Sequence, residues 1–390
     1  PTTVALPGQK VFTALGSSTN PRTPETWDPV NGWQIKGGIG FDTMVLDDFF
    51  VTGSHSESDW WPLLHLAPNG QIFHSGPTPR MHYIDPTGSG SATAVGIEFT
   101  DWYPKHGTTV MYRVGRLITA GGWQSGTERL ATNRAFTVDL NAAPVVQPAQ
   151  SMAYPRKFHV GVMLPDGEML VVGGTAFGRK FNDQGSIHPV EFWNPESGTW
   201  REGAGTTIPR NYHSTAVLLT DGRVFSGGGG YCSNSDYCNG SSHKDAQIYS
   251  PPYLFNEDGS LATRPVITSG PARISSGETF VIGATPGMQK FSLIKMSSNT
   301  HAINTDLRFV ELPFVESSPG VYELTPPGNV NVLSPGYWMV FALGADGVPS
   351  EAHVVQANVS GMPFIDDIRD RVSIRNEPLI LRVVAGDSDN

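Results

Sequence analysis

The side chains best suited to chemistry gather around one dipeptide, Tyr212-His213. It closes the run Pro209-Arg-Asn-Tyr-His213, and a parallel run, Pro155-Arg-Lys-Phe-His159, lies earlier in the chain. A repeated motif is read first as structural, so His159 is assigned to packing. Tyr212 differs from its counterpart Phe158 only in its oxygen, which can exchange a proton or bind a metal. Neighbouring residues of a strand point to opposite faces, so both rings of the pair reach one ion only at a strand end or a bulge. Of the other histidines, His65 and His74 fall in predicted strands, while His106, His188 and His243 fall in polar segments. All five are read as structural. Cys232 and Cys238 sit six residues apart in a Gly/Ser/Asn-rich loop. A zinc site would need more cysteines or a histidine pair at ligand spacing, and only His243 is near. A disulfide-closed loop in an oxidising compartment is expected over two free thiols. No carboxylate pair or Ser/His/Asp set stands out, which leaves a hydrolase without support.

The elements that must position these groups are short strands. A turn, an apolar strand and a glycine recur five times: Gly8 to Gly16, Asn69 to Gly76, Val114 to Gly122, Asp166 to Gly174 and Asp221 to Gly228. The uneven spacing, near 50 residues, is the kelch-type β-propeller period. Asp166-Gly167 and Asp221-Gly222 are read as type I′ hairpin turns. Outer strands carry an aromatic before a turn, as in Thr26-Trp-Asp-Pro29 and Phe192-Trp-Asn-Pro195. The 44 glycines and 31 prolines punctuate strands and exclude long helices. The fold class is therefore all-β: five propeller blades over 1–263, then an Ig-like antiparallel β-sandwich over 264–361. Residues 362–390 are read as the start of a further Ig-like domain, truncated. Five blades do not readily close such a ring, so further blades are expected upstream of Pro1.

A net charge of −10 without any Lys/Arg-rich run excludes a nucleic-acid surface. No apolar stretch approaches the roughly 20 residues of a membrane span.

The run from Arg210 through Tyr212-His213 to Gly230-Tyr-Cys232 resembles the last blade of the galactose oxidase and glyoxal oxidase family, the copper radical oxidases. So do Asp245-Ala-Gln-Ile-Tyr-Ser-Pro-Pro-Tyr-Leu-Phe255, Thr300-His-Ala-Ile-Asn-Thr-Asp-Leu-Arg308 and Leu333-Ser-Pro-Gly-Tyr-Trp-Met-Val-Phe341. The resemblance is close from about Asn211 to Ala357 and looser back to Pro1. It implies seven blades and a sandwich hairpin that carries a histidine up the propeller axis. Carried over by position, Tyr212, His213 and His301 match metal ligands, and two imidazoles with phenolate oxygens suit the tetragonal preference of Cu(II). Tyr212 also matches the general base. Cys232 and Cys238 match a structural disulfide, with a longer loop between them here. The family's Cys-Tyr thioether radical cofactor has no match among the residues present and is expected upstream of Pro1. The aromatic that covers it aligns near Ser17 or Ser18.

The resemblance thus implies a secreted, extracellular or cell-surface enzyme, monomeric, that binds copper. It would oxidise a primary alcohol, aldehyde or carbohydrate, with O2 reduced to hydrogen peroxide. The alternative is a non-catalytic propeller, derived from the oxidase, that binds carbohydrate or protein.

Overall fold

The computed structural model describes residues 2–15, 23–40, 61–78, 80–95, 102–124, 130–177, 180–230, 242–358, 364–365 and 385–386. Among these, regular structure is almost entirely strand; the one helical element is a single 3-10 turn, Pro252–Leu254.

Four successive four-stranded antiparallel sheets and one three-stranded sheet form an arc. Their innermost strands are Thr2–Leu6, Leu63–Leu66, Thr108–Arg113, Val160–Met163 and Ser214–Leu218. Apolar residues between successive sheets make the cores. Val4, Phe12, Leu64 and Ile72 fill the space between the first two sheets, and Val162, Leu170, Ala216 and Val224 that between the last two. Each blade can bury both faces only against its neighbours, which is why the pattern repeats.

The turns at Asp166-Gly167 and Asp221-Gly222 differ from the type I′ expectation. Gly167 and Gly222 are left-handed at φ +94° and +79°, while the aspartates before them are not among the left-handed residues. The loops are longer by one residue: Gly167 N–H donates to Leu164 O at 3.0 Å, and Gly222 N–H to Leu219 O at 3.0 Å. A type I turn followed by a left-handed glycine has this form. The aspartate supplies its own reason, since Asp166 and Asp221 each accept the N–H two residues on, at 3.0 and 2.9 Å.

The sandwich packs a sheet of Ile267–Ser269, Phe280–Ala284, Val321–Leu324 and Phe314–Ser318 against a second of five strands. Pairing is antiparallel except for the short edge Arg273–Ile274, which runs parallel to His353–Ala357. Ile294, Phe309 and Phe341 of the sandwich share one core with Val110, Met163 and Met169 of the third and fourth blades. That shared core fixes the segment between strands Lys290–Lys295 and Phe309–Leu312 relative to the propeller. Within 362–390, the described residues are a two-residue antiparallel pair, Phe364–Ile365 with Ala385–Gly386.

Candidate metal centre

The Pro-Arg element of the repeated motif builds the approach to each inner strand. Arg156 donates to Gly173 O at 2.8 Å and pairs with Glu191 at 2.8 Å. Arg210 does the same one blade on, with Gly228 O at 2.9 Å and Asp245 at 2.9 Å. Their backbone carbonyls stitch blade to blade, accepting from Gly122 N–H at 2.8 Å and Gly174 N–H at 2.7 Å. The two arginines are 0–1% exposed.

Two residues before the innermost strand, four successive blades present Trp61, His106, Phe158 and Tyr212. Their rings form a cluster: His106 to Phe158 is 4.6 Å between centroids, Phe158 to Tyr212 is 5.2 Å, and Trp61 to Tyr212 is 6.2 Å. His106 and Phe158 hold this position with left-handed backbones, φ +60° and +63°. In the last blade the left-handed residue is instead His213, φ +68°. The shift of one position folds both side chains of the Tyr212-His213 pair to one side, their rings stacked at 4.0 Å. Gly228, Gly229 and Gly230 are all left-handed and wrap this segment. Gly230 donates its N–H to Tyr212 O and accepts from His213 Nδ1 at 2.9 Å.

His301 arrives from the sandwich. Thr300 and Ile303 exchange backbone hydrogen bonds at 3.2 and 2.9 Å around His301 and Ala302, which are left-handed at φ +57° and +67°. Two left-handed central residues are the mark of a type I′ turn, here without glycine. The turn lays the His301 ring flat against Trp61, at 4.1 Å and 17°, and edge-on to Tyr212 at 5.4 Å. His301 Nε2 lies 3.1 Å from His213 Nε2.

Two nitrogen donors bound at about 2.0 Å and at right angles to each other stand about 2.8 Å apart. The observed separation fits a shared metal ion, and the outer ring atoms fit too. A carbonyl can only accept, so His213 Nδ1 carries the hydrogen and Nε2 presents its lone pair. His301 Nδ1 lies 2.7 Å from Thr300 Oγ1, a hydroxyl that can serve either tautomer. Burial lowers the basicity of His213, and the charge of Lys180 adds to the effect against the bond to Gly230 O. Burial lowers His301 further, to about 4, aided by His213 and Lys180. Both imidazoles are therefore neutral at pH 7, the state that binds a metal. The Lys180 Nζ stands 4.9 Å from the Tyr212 ring centre and 5.5 Å from that of Trp61. Phe181 meets Tyr212 edge-on at 5.2 Å.

The residues expected from sequence thus meet at one place: Tyr212 and His213 just before the innermost strand of the last blade, His301 from the hairpin. Cys232, Cys238, Ser17 and Ser18 lie outside the described residues. His159 is fully buried, with Nε2 3.1 Å from Ala120 O. His188 lies 2.9 Å from Thr206 O, and His243 pairs with Asp183 at 3.0 Å. Sequence reading left Trp61 unnamed and read His106 as structural; both sit in the ring cluster. The signal was present in the register, since both stand at the position that Phe158 and Tyr212 occupy.

Residues 264–357 match the galactose oxidase-like early set domain. A galactose oxidase of Gibberella zeae is 34% identical over 298 residues, covering 74% of this chain and 43% of that protein. The chain therefore spans less than half of that relative's length. A solved fungal alcohol oxidase in complex with copper is 32% identical and superposes with a TM-score of 0.84, covering 92% of this chain and 75% of the other. The chain belongs to the galactose oxidase and glyoxal oxidase family. Another relative of this copper oxidase family, an aldehyde oxidase of Vitis pseudoreticulata, is 28% identical over 335 residues, covering 76% of this chain and 62% of that protein. Membership agrees with the fold, successive blade-like antiparallel sheets followed by an Ig-like sandwich. No helix among the described residues is long and apolar enough to cross a membrane.

Proposed function

We propose that this protein is a secreted copper radical oxidase that converts a primary alcohol or an aldehyde with O2, releasing hydrogen peroxide. For an alcohol the balance is RCH2OH + O2 → RCHO + H2O2: two electrons and two protons leave the substrate. The observation that carries this reading is the 3.1 Å approach of His213 Nε2 and His301 Nε2 beside the Tyr212 ring.

His213, His301 and Tyr212 would hold the copper. When bound, it would offer an open position to the substrate oxygen and take up an electron of the oxidation. The bond from His213 Nδ1–H to Gly230 O keeps that ring turned toward the site, and Trp61 braces His301 from its flat side. Tyr212 is the proposed acceptor of the substrate's hydroxyl proton, and the Lys180 Nζ stands 4.9 Å from its ring centre. Trp61, Phe158 and Phe181 keep water from the Tyr212 ring on three sides. A Cys-Tyr radical cofactor and a Cys232–Cys238 disulfide belong to the same proposal, because the family resemblance implies both.

The test is peroxide release by the copper-loaded full-length protein across small aldehydes and primary alcohols. Peptide mass mapping for a cross-linked Cys-Tyr pair accompanies it. Bound copper and an intact cross-link without peroxide would sink the oxidase reading.

A further inference from the structure

The two histidines come from different parts of the chain, 88 residues apart, and a separate pair of polar side chains spans the same gap. Thr215 follows His213 by two residues, and Asn299 precedes His301 by two. Thr215 Oγ1 donates to Asn299 Oδ1 at 2.8 Å, and Asn299 Nδ2 donates to the Ala216 carbonyl. Asn299 therefore spends both ends of its amide on the strand that His213 opens.

We infer that Asn299 and Thr215 are positioning residues that set the spacing of His213 and His301, and so the affinity of the centre for copper. This rests on the ligand assignment proposed above. Trp61 stacks on His301 itself but ties it to the second blade, and the hairpin's other polar anchors act further away. Asn304 Nδ2 donates to Ser297 Oγ at 2.9 Å, and Thr305 Oγ1 to Thr3 O at 2.6 Å. Lys295 Nζ closes the base on Asp306 at 2.9 Å. These hold the two limbs together and fix the hairpin to the first blade. The Asn299–Thr215 contact ties the limb leading to His301 to the strand beginning after His213. Both central residues of the hairpin tip are left-handed non-glycines, a conformation that surrounding contacts must impose. Without the clasp, the tip is free to shift against the last blade. A metal site with two donors on separate elements loses affinity when their spacing is no longer enforced.

The experiment measures Cu(II) dissociation constants of the full-length protein by chelator competition, with Cu(II) EPR and thermal melting alongside. Variants are Asn299→Ala, Thr215→Val and Thr215→Ser. Asn299→Ala removes both bonds and should weaken copper by about 10–100-fold and alter the EPR spectrum. Thr215→Val keeps the side-chain shape and the Ala216 bond, so a smaller loss is expected. Thr215→Ser restores the hydroxyl and should restore affinity and spectrum, which a purely packing role for the threonine methyl would not predict. Should Asn299→Ala fail to fold, the Val and Ser pair decides alone. Wild-type affinity and spectrum in Asn299→Ala and Thr215→Val would overturn the clasp while leaving the ligands standing. Wild-type protein that binds no copper would overturn the ligand assignment, and the clasp with it.

Discussion

His213 and His301 face each other through their Nε2 atoms at 3.1 Å, although one opens an inner propeller strand and the other tips a hairpin of the sandwich. Their planes stand at 89°, so the two nitrogens approach each other without the rings stacking. A pair so disposed would supply two of the donors of the proposed copper site.

Removing one member should therefore remove the metal. His301→Ala in the full-length protein should lower copper from about one per chain to a small residue, because the site loses geometry as well as a donor. Elemental analysis after dialysis reads this directly. Full copper content in the variant would refute the assignment.

Tyr212→Phe tests the oxygen alone. Phe158 occupies the equivalent position in the preceding blade, where it is buried, so a phenyl ring is accommodated at this register. On the proposed assignment, copper should remain on the histidines while turnover falls about 10²–10⁴-fold, the usual contribution of a positioned base. Peroxide assays against the parent protein decide it, and equal rates would remove Tyr212 from the mechanism.

The hairpin tip holds a cost that can be relieved without touching a ligand. Ala302 is left-handed at φ +67°, a conformation that glycine adopts without penalty. Ala302→Gly should raise stability by about 1 kcal/mol, the cost of a left-handed alanine set against glycine's greater unfolded entropy. Urea melting measures it; a destabilised variant would mean that the alanine methyl packs for more than its backbone costs.

Glu191 and Arg156 form an ion pair that is at most 1% exposed on either side, and Glu191 also accepts from Ala153 N–H at 2.6 Å. Glu191→Ala strands a buried guanidinium and should cost about 3–5 kcal/mol. Replacing both residues with apolar ones should cost less than that single change. Equilibrium denaturation of the three proteins gives the comparison.

Acid should loosen the blades through their buried rings. Burial, assisted by the charge of Arg308, lowers His65 to about 3, and burial with His82 does the same for His74. Neutral in the fold, both protonate readily once unfolded, near the ordinary 6.5. The stability they contribute is complete above pH 6.5 and is lost as pH falls through the folded value. The slope is about 1.4 kcal/mol per pH unit for each ring. Melting curves between pH 7 and 4 should show it, and His65→Leu should flatten the fall. An unchanged slope in that variant would exclude His65 as a source.

Much of this was legible in the chain itself. The five glycine-terminated strands announce blades, because only short strands between tight turns tolerate glycine and proline at that density. The Tyr212-His213 motif stands out because a phenol replaces a phenyl in a repeated context. Local geometry was read less well. Asp166-Gly167 was expected as a two-residue turn, but the aspartate's own side chain draws in one more residue. Nothing in the immediate neighbours of Trp61 or His106 marks them as part of a site. They matter only through their register two positions before an inner strand, and strand starts are poorly defined in sequence. The distances that make a site belong to the tertiary structure alone. A left-handed His213 turns two neighbouring rings to one side, and a shared core between sandwich and propeller carries His301 to within 3.1 Å of it. Sequence specifies donors through local types and periods. Convergence across 88 residues depends on packing between elements that no local pattern encodes.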